Sequence, residues 1–177
     1  MSNESGDRHF PGFSENGKTL VVTPVGISGR GGIDRLNLYM SEFLAAHGSA
    51  AQLEYLGSRG ERGGVMWVVH FLIALVRFSA MLMHGKYALV HIHVSTDGSA
   101  FRKYFFGWVA RRFRVPYVIH FHGDMKQASQ KRPPLWIKAL GNLARGAQYC
   151  IVLGNAFVPP FRDVLGVASA NIRIVHN

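Results

Sequence analysis

Only one of the 177 residues is cysteine, Cys150, so no internal disulfide can form and a disulfide-stapled secreted scaffold is excluded. Acidic residues are also scarce, with 10 against 20 lysines and arginines. Charged residues make up only 17% of the chain while hydrophobic ones make up 48%, which excludes a solvated disordered tail. No apolar h-region opens the sequence, so a secretory leader is not read and the reducing cytoplasm is the expected compartment. Three chemical signatures are missing as well. There is no GxSxG nucleophile elbow, no Walker loop and no Asp-x-Asp pair to hold a nucleotide through a divalent ion.

The charge that is present is concentrated. Between Arg102 and Arg145 ten basic residues face a single acidic one, Asp124, so this stretch carries +9 of the chain's +10. Such a field attracts phosphate, on a substrate or on anionic lipid. No recognised nucleic-acid module accompanies it, so nucleic acid is not an expected partner.

Residues 1–17 are polar and aperiodic, and read as a disordered arm. From Lys18 onward short β-rich runs alternate with helical patterns, the mark of βαβ units in one α/β domain with a mostly parallel sheet. Six strands are expected, over 19–25, 51–56, 89–94, 117–121, 149–153 and 172–175. A helix after the first strand should bury Ile33, Leu36, Met40, Phe43, Leu44 and His47, with Gly48 as its stop. Another should bury Phe101, Tyr104, Phe105, Trp108, Val109 and Phe113, leaving Arg102, Lys103, Arg111 and Arg114 exposed, with Ser99 as its cap. Val115-Pro116 should end it. Further helices are expected from Pro133 or Pro134 to Arg145 and from Pro159 to Leu165. Residues 65–83 contain only His70 and Arg77 as chargeable members. Their length permits a membrane span, but a central arginine is costly in lipid and the alternation needs a crossover helix there. A helix packed on the sheet is therefore expected, with a strip free to rest on a bilayer surface.

Glycines 26, 29, 31 and 32 fall between the first strand and the first helix. That places flexible backbone and the positive end of a helix where a phosphate can approach, and Arg35 one turn in adds a guanidinium. A dinucleotide fingerprint is not completed, because Asp34 stands where the third glycine belongs. Two His-x-His pairs, His91 with His93 and His120 with His122, lie on consecutive strands, where a period of two puts each pair on one face. With Asp97 and Asp124 following, they form a possible metal constellation, although core or hydrogen-bonding roles suit His91 and His120 as well. Cys150 sits in an apolar strand and reads as an inert buried thiol.

Four stretches in order resemble the N-terminal Rossmann-like domain of GT-B fold glycosyltransferases, in particular glycosyltransferase family 4. Gly31-Gly32-Ile33-Asp34-Arg35 resembles that family's GG-x-[ED]-R stretch, and Leu89-Val90-His91-Ile92-His93 its "DVVHVH" strand. Val115 to Gly123 resembles its "-P-h-V-x-T-x-HG" strand and loop, with His120 at the usual threonine position. Asn171 to Asn177 resembles the "-K-I-x-V-I-x-N-G" strand that leads to an interdomain linker. The resemblance covers residues 18–177.

It implies a doubly wound Rossmann-like sheet forming the acceptor-side half of a transferase. The reaction implied is sugar transfer from a nucleotide-sugar donor to an acceptor hydroxyl, usually with retention and without a metal or other cofactor. By the same resemblance Gly31, Gly32 and Arg35 would hold the donor phosphates and His122 would work at the reaction centre. His93, Ser95 and Asp124 would line the acceptor pocket. A glycan or lipid-linked acceptor, in polysaccharide or glycolipid biosynthesis at the inner membrane face, is the expected setting, with anionic lipid as a partner. The donor-holding C-terminal domain is expected in another segment or chain, and the isolated 177 residues are expected to turn over little. Two other readings stand beside this one: a non-catalytic partner module that kept the fold, and a metal-dependent hydrolase using the His-x-His pairs.

Overall fold

The computed structural model describes residues 17–27, 31–46, 52–60, 65–126 and 134–176. Residues 1–16 of the expected arm, Gly29, His47 and Gly48 lie outside them. Six strands form one sheet in the order β2-β1-β3-β4-β5-β6, and every neighbouring pair is parallel. They are β1 (Lys18–Thr23), β2 (Leu53–Gly57), β3 (Tyr87–Val94), β4 (Tyr117–Phe121), β5 (Tyr149–Val152) and β6 (Ile172–Ile174). The helices are α1 (Gly32–Ala46), α2 (Met66–His84), α3 (Gly98–Arg112) and α4 (Leu135–Arg145). A π-helical turn at Pro160–Val164 follows β5, where a short helix was expected. The chain is thus a Rossmann-like α/β domain.

Strand parity divides the side chains between two faces. Val22, Ile92, Ile119 and Cys150 are register partners and belong to the main core with Phe78 of α2, Phe106 of α3 and Leu140 of α4. The other parity carries Val21, Tyr55, His91 and Val118, and α1 lies on that side, since the Tyr55 hydroxyl donates to the Asn37 carbonyl at 3.1 Å. One helix on one face and three on the other make the sheet doubly wound.

Helix α3 presents a different face from the one the apolar spacing predicts, and α1 departs from it only in part. Helix α3 buries Ala100, Lys103, Phe106, Gly107, Val109 and Ala110, and leaves Phe101, Phe105 and Trp108 exposed. Close approach decides this. A Cβ on Gly107 would collide with the Leu143 side chain and lie 3.3 Å from the Tyr117 ring, so only small residues fit between α3 and its neighbours. The displaced aromatics pack sideways on α2, with the Phe71 and Phe105 rings 5.8 Å apart. The helix also starts before Ser99. Asp97 occupies the cap position at φ 53°, and the Ser99 hydroxyl accepts instead from the Ser95 N–H at 3.1 Å. In α1 the predicted Ile33, Leu36, Met40 and Leu44 are half-buried on the inner side, the fully buried positions beside them are the polar Asp34 and Asn37, and Phe43 is 60% exposed.

The apolar segment 65–83 forms the crossover helix α2 between β2 and β3. Its sheet-facing side is narrow, with Ala74, Phe78 and Leu82 buried one turn apart. Only 17% of its most apolar 18-residue window is buried, and Leu72, Ile73, Val76 and Met83 are each more than half exposed.

Candidate functional site

The carboxyl ends of the strands gather the residues singled out by the sequence. At the end of β1 the buried Thr23 carbonyl accepts from the Ser58 N–H at 2.9 Å, the Ser58 hydroxyl at 2.7 Å and Lys103 Nζ at 3.1 Å. Lys103 also donates to the Ser58 hydroxyl. One carbonyl therefore ties the β1–α1 turn to the loop after β2 and to α3. The Thr23 hydroxyl accepts from the Gly26 N–H at 2.6 Å, and Gly26 turns the chain with φ 111°, a conformation suited to glycine. Lys103 is fully buried, and burial drives its amine well below the usual lysine range, with Arg102 and Arg59 adding to the effect.

Past that turn, the first N–H groups of α1 have no intrahelical acceptors. Asp34 uses part of this capacity. Its carboxylate faces the backbone N–H groups of Gly31 and Val25, which partly offset the upward push of burial on its pKa, while Oδ1 is buried without a hydrogen-bond partner among the described residues. Gly32 is exposed, and a Cβ there would meet nothing within 4 Å, so the surface beside it is open. Arg35 is exposed one turn further on. Arg59, on the loop after β2, and Arg102, near the start of α3, act electrostatically on one another and enlarge the basic rim.

Strands β3 and β4 bring four imidazoles into one stack. His93 and His120 are register partners, His91 lies two residues before His93 on the same face, and His122 continues the line beyond β4. The ring of His91 stacks on that of His93 at 4.5 Å, and the His120 and His122 rings are 4.1 Å apart. His93 Nδ1 and His122 Nε2 share a hydrogen bond of 2.9 Å. Burial is the first cause of every pKa shift here. It lowers His91 and His122 to about 3 and His120 to about 4, and it also lowers His93, on which the neighbouring imidazoles and Lys103 act further. All four rings are neutral at pH 7, so each can pass or receive a proton but none is a standing charge.

The loops above this stack are closely fitted. A Cβ on Gly123 would lie 2.8 Å from Thr96 Cγ2 and 2.7 Å from Phe121 Cζ, so glycine is what allows the loop after β4 to cross the loop after β3. Ser95 sits beside His93 in sequence and is half-buried at that crossing. Asp124 is turned away. Its carboxylate accepts from the Lys126 N–H at 2.8 Å and pairs with Lys126 Nζ at 3.4 Å, and the backbone hydrogen bond leads in lowering its pKa. Asp97 is also exposed, so neither carboxylate is buried with the imidazoles.

The structure thus brings together His93, His122 and the Ser95 loop, and places Gly31, Gly32 and Arg35 at a second corner of the same edge. Lys103, Arg59 and the inward Asp34 carboxylate were not read from the sequence as site residues. The spacing Ala100, Lys103, Gly107, Ala110 carried the signal for Lys103, because small residues at helical period mark the closely packed side.

Comparison with known families gives a match over most of the chain. The family model described as glycosyl transferase 4-like domain matches residues 31–177, from the glycine turn through β6. No curated protein matches the chain.

Proposed function

Because the chain belongs to the glycosyl transferase 4-like domain family, we propose that it transfers a sugar from a nucleotide-activated donor to an acceptor hydroxyl, and that this domain is the acceptor-side half. The observation that supports this most directly is the bonded His93–His122 pair, drawn from two strands to the carboxyl edge where open α/β sheets bind ligands. In the transfer the acceptor oxygen bonds to the anomeric carbon as the carbon–oxygen bond to the diphosphate breaks. The electron pair leaves with the diphosphate, whose oxygen takes up the proton released from the acceptor hydroxyl. Charge therefore develops on the phosphate, and the Gly32 end of α1 with Arg35 is the corner suited to receive it. With the Gly31 N–H directed at Asp34, Gly32 and the guanidinium carry more of that role. His122 holds the reacting hydroxyl or sugar, His93 fixes the His122 ring, and Ser95 lines the acceptor wall. Asp124 is placed at the rim.

The nucleotide and sugar are held, in this reading, by a second lobe from the same or another polypeptide, and the 177 residues alone turn over little. The setting is the cytoplasmic face of an anionic membrane, with a lipid-linked or polysaccharide acceptor. Supporting this are the exposed apolar face of α2, the aromatics of α3 beside it, and the arginines 102, 111, 112 and 114 on and after α3. Retention at the anomeric carbon, and transfer without a metal, belong to the same proposal.

The test is substitution in the assembled two-lobe enzyme, followed with a radiolabelled donor. His122→Asn is expected to lower kcat about 100-fold or more, and Arg35→Ala to lower it by a similar factor, the size seen when one general acid–base group or one oxyanion donor is lost. Unchanged turnover in both variants would favour the non-catalytic partner module.

A further inference from the structure

We propose that His91, His93 and His120 form a binding site for one divalent transition-metal ion of the zinc class. Transfer does not require this ion, and the inference stands whether or not the domain is a transferase half.

Three observations carry it. One ring nitrogen from each of the three residues lies within 4.8 Å of the others. The Nε2 atoms of His91, His93 and His120 are all buried and have no hydrogen-bond partner among the described residues. Such groups are costly when unsatisfied, at roughly 1–3 kcal/mol each, and three in one cluster point to a shared partner. Finally, the arrangement is built by the sheet rather than by surface side chains, since His93 and His120 are register partners 1% and 6% exposed and His91 stacks on His93.

The donor set selects the ion. Neutral imidazole suits zinc, copper or nickel, whereas calcium and magnesium require oxygen ligands, and Asp97 and Asp124 are exposed rather than gathered with the rings. Zinc–nitrogen bonds of about 2.0–2.1 Å place two tetrahedral ligand atoms roughly 3.3 Å apart, so the rings close by up to about 1.5 Å on binding. Three protein ligands leave the fourth position for water. His122 then acts from outside. With His93 Nδ1–H donating to His122 Nε2 over 2.9 Å, the His93 tautomer presents Nε2 to the ion, the second-layer pattern that orients ligating histidines. The remaining His122 nitrogen stays free for substrate.

The experiment uses the full chain without an affinity tag, stripped with chelator. Zinc is titrated in competition with a chromophoric chelator, and cobalt(II) is added as a spectroscopic probe. One equivalent per chain and an intense tetrahedral cobalt spectrum are expected. His91→Gln and His120→Gln should each weaken zinc at least about tenfold, while a His70→Gln, His84→Gln, His176→Gln variant, altered only at described histidines off the stack, should bind as before. Should a stack variant fail to fold, the side-chain ¹⁵N resonances of the unmodified protein decide. Zinc must move those of His91, His93 and His120, with His122 following through its bond to His93, and not those of His70, His84 and His176. Folded protein that takes up no zinc, an affinity unchanged in the His91→Gln, His120→Gln double variant, or shifts confined to other histidines would overturn the proposal.

Discussion

A buried imidazole that stays neutral makes folding sensitive to acid, and four of them share one stack here. In the unfolded chain a histidine takes its proton near pH 6.5, whereas in the folded domain His91 and His122 hold out to about 3 and His120 to about 4. Between these limits the unfolded state binds more protons, so stability is complete above pH 6.5 and declines as the pH falls toward 4. Each buried ring contributes a slope of up to about 1.4 kcal/mol per pH unit in that window, and His93 and His120 are both buried. Urea unfolding of the metal-free protein in chelator is therefore expected to lose several kcal/mol between pH 6.5 and 4.5. A flat profile over that range would contradict neutral burial of the stack. Replacing His120 with Gln should reduce the slope by the share of one titrating group. The two His-x-His pairs and their common face were legible in the sequence, because strand period fixes which side chains share a face. The hydrogen bond between His93 and His122 was not, because it depends on how far β4 is shifted against β3. Lys103 was misread for a related reason. A lysine is ordinarily exposed, and only the Thr23 carbonyl and Ser58 hydroxyl, distant in sequence, make its burial tolerable.

At the scale of elements, six strands and four main helices were legible because β-rich runs alternate with longer helical patterns, and their ends moved by only a few residues. Which face of a helix turns inward was less legible. The apolar spacing of α3 favours Phe101, Phe105 and Trp108, yet α3 is pressed against both α4 and the sheet, where bulk is excluded and Ala100, Gly107 and Ala110 are admitted. This gives a paired expectation. Gly107→Val forces a branched side chain against Leu143 and Tyr117, both fully buried, and should cost about 1–3 kcal/mol, the usual range for overpacking. Trp108→Gln, at a position 52% exposed, should stay within about 0.5 kcal/mol. Midpoints of urea unfolding measure both. The opposite ranking would mean that α3 packs through its aromatic stripe after all. The same logic applies to α1, where the Asp34 carboxylate turns inward to the Gly31 and Val25 N–H groups and so shapes the turn that the glycines make.

For the whole molecule, the two faces of the sheet divide the work. The imidazole stack lies on the face that α1 shares, while α2, α3 and α4 cover the other and carry the basic surplus on their outer side. A soluble monomer seldom exposes so broad an apolar surface as Trp67, Leu72, Ile73 and Val76 of α2 with Phe101, Phe105 and Trp108 of α3. Trp67 and Arg102 join the two helices, the guanidinium lying 5.4 Å from the ring centroid. Apolar area beside fixed positive charge is the combination that holds a domain on an anionic bilayer, with each basic residue near the surface contributing about 1 kcal/mol. Flotation with vesicles is therefore expected to recover the protein when they contain phosphatidylserine or phosphatidylglycerol, and to recover far less with phosphatidylcholine alone or at high salt. Arg112→Gln with Arg114→Gln should weaken binding by about 2 kcal/mol, or roughly thirtyfold, and Leu72→Ser with Phe105→Ser should weaken it without removing the salt dependence. Failure to float with anionic vesicles would separate the domain from the membrane and leave the α2–α3 face to a protein partner, whereas recovery that ignores lipid charge would leave the arginines without a part in binding.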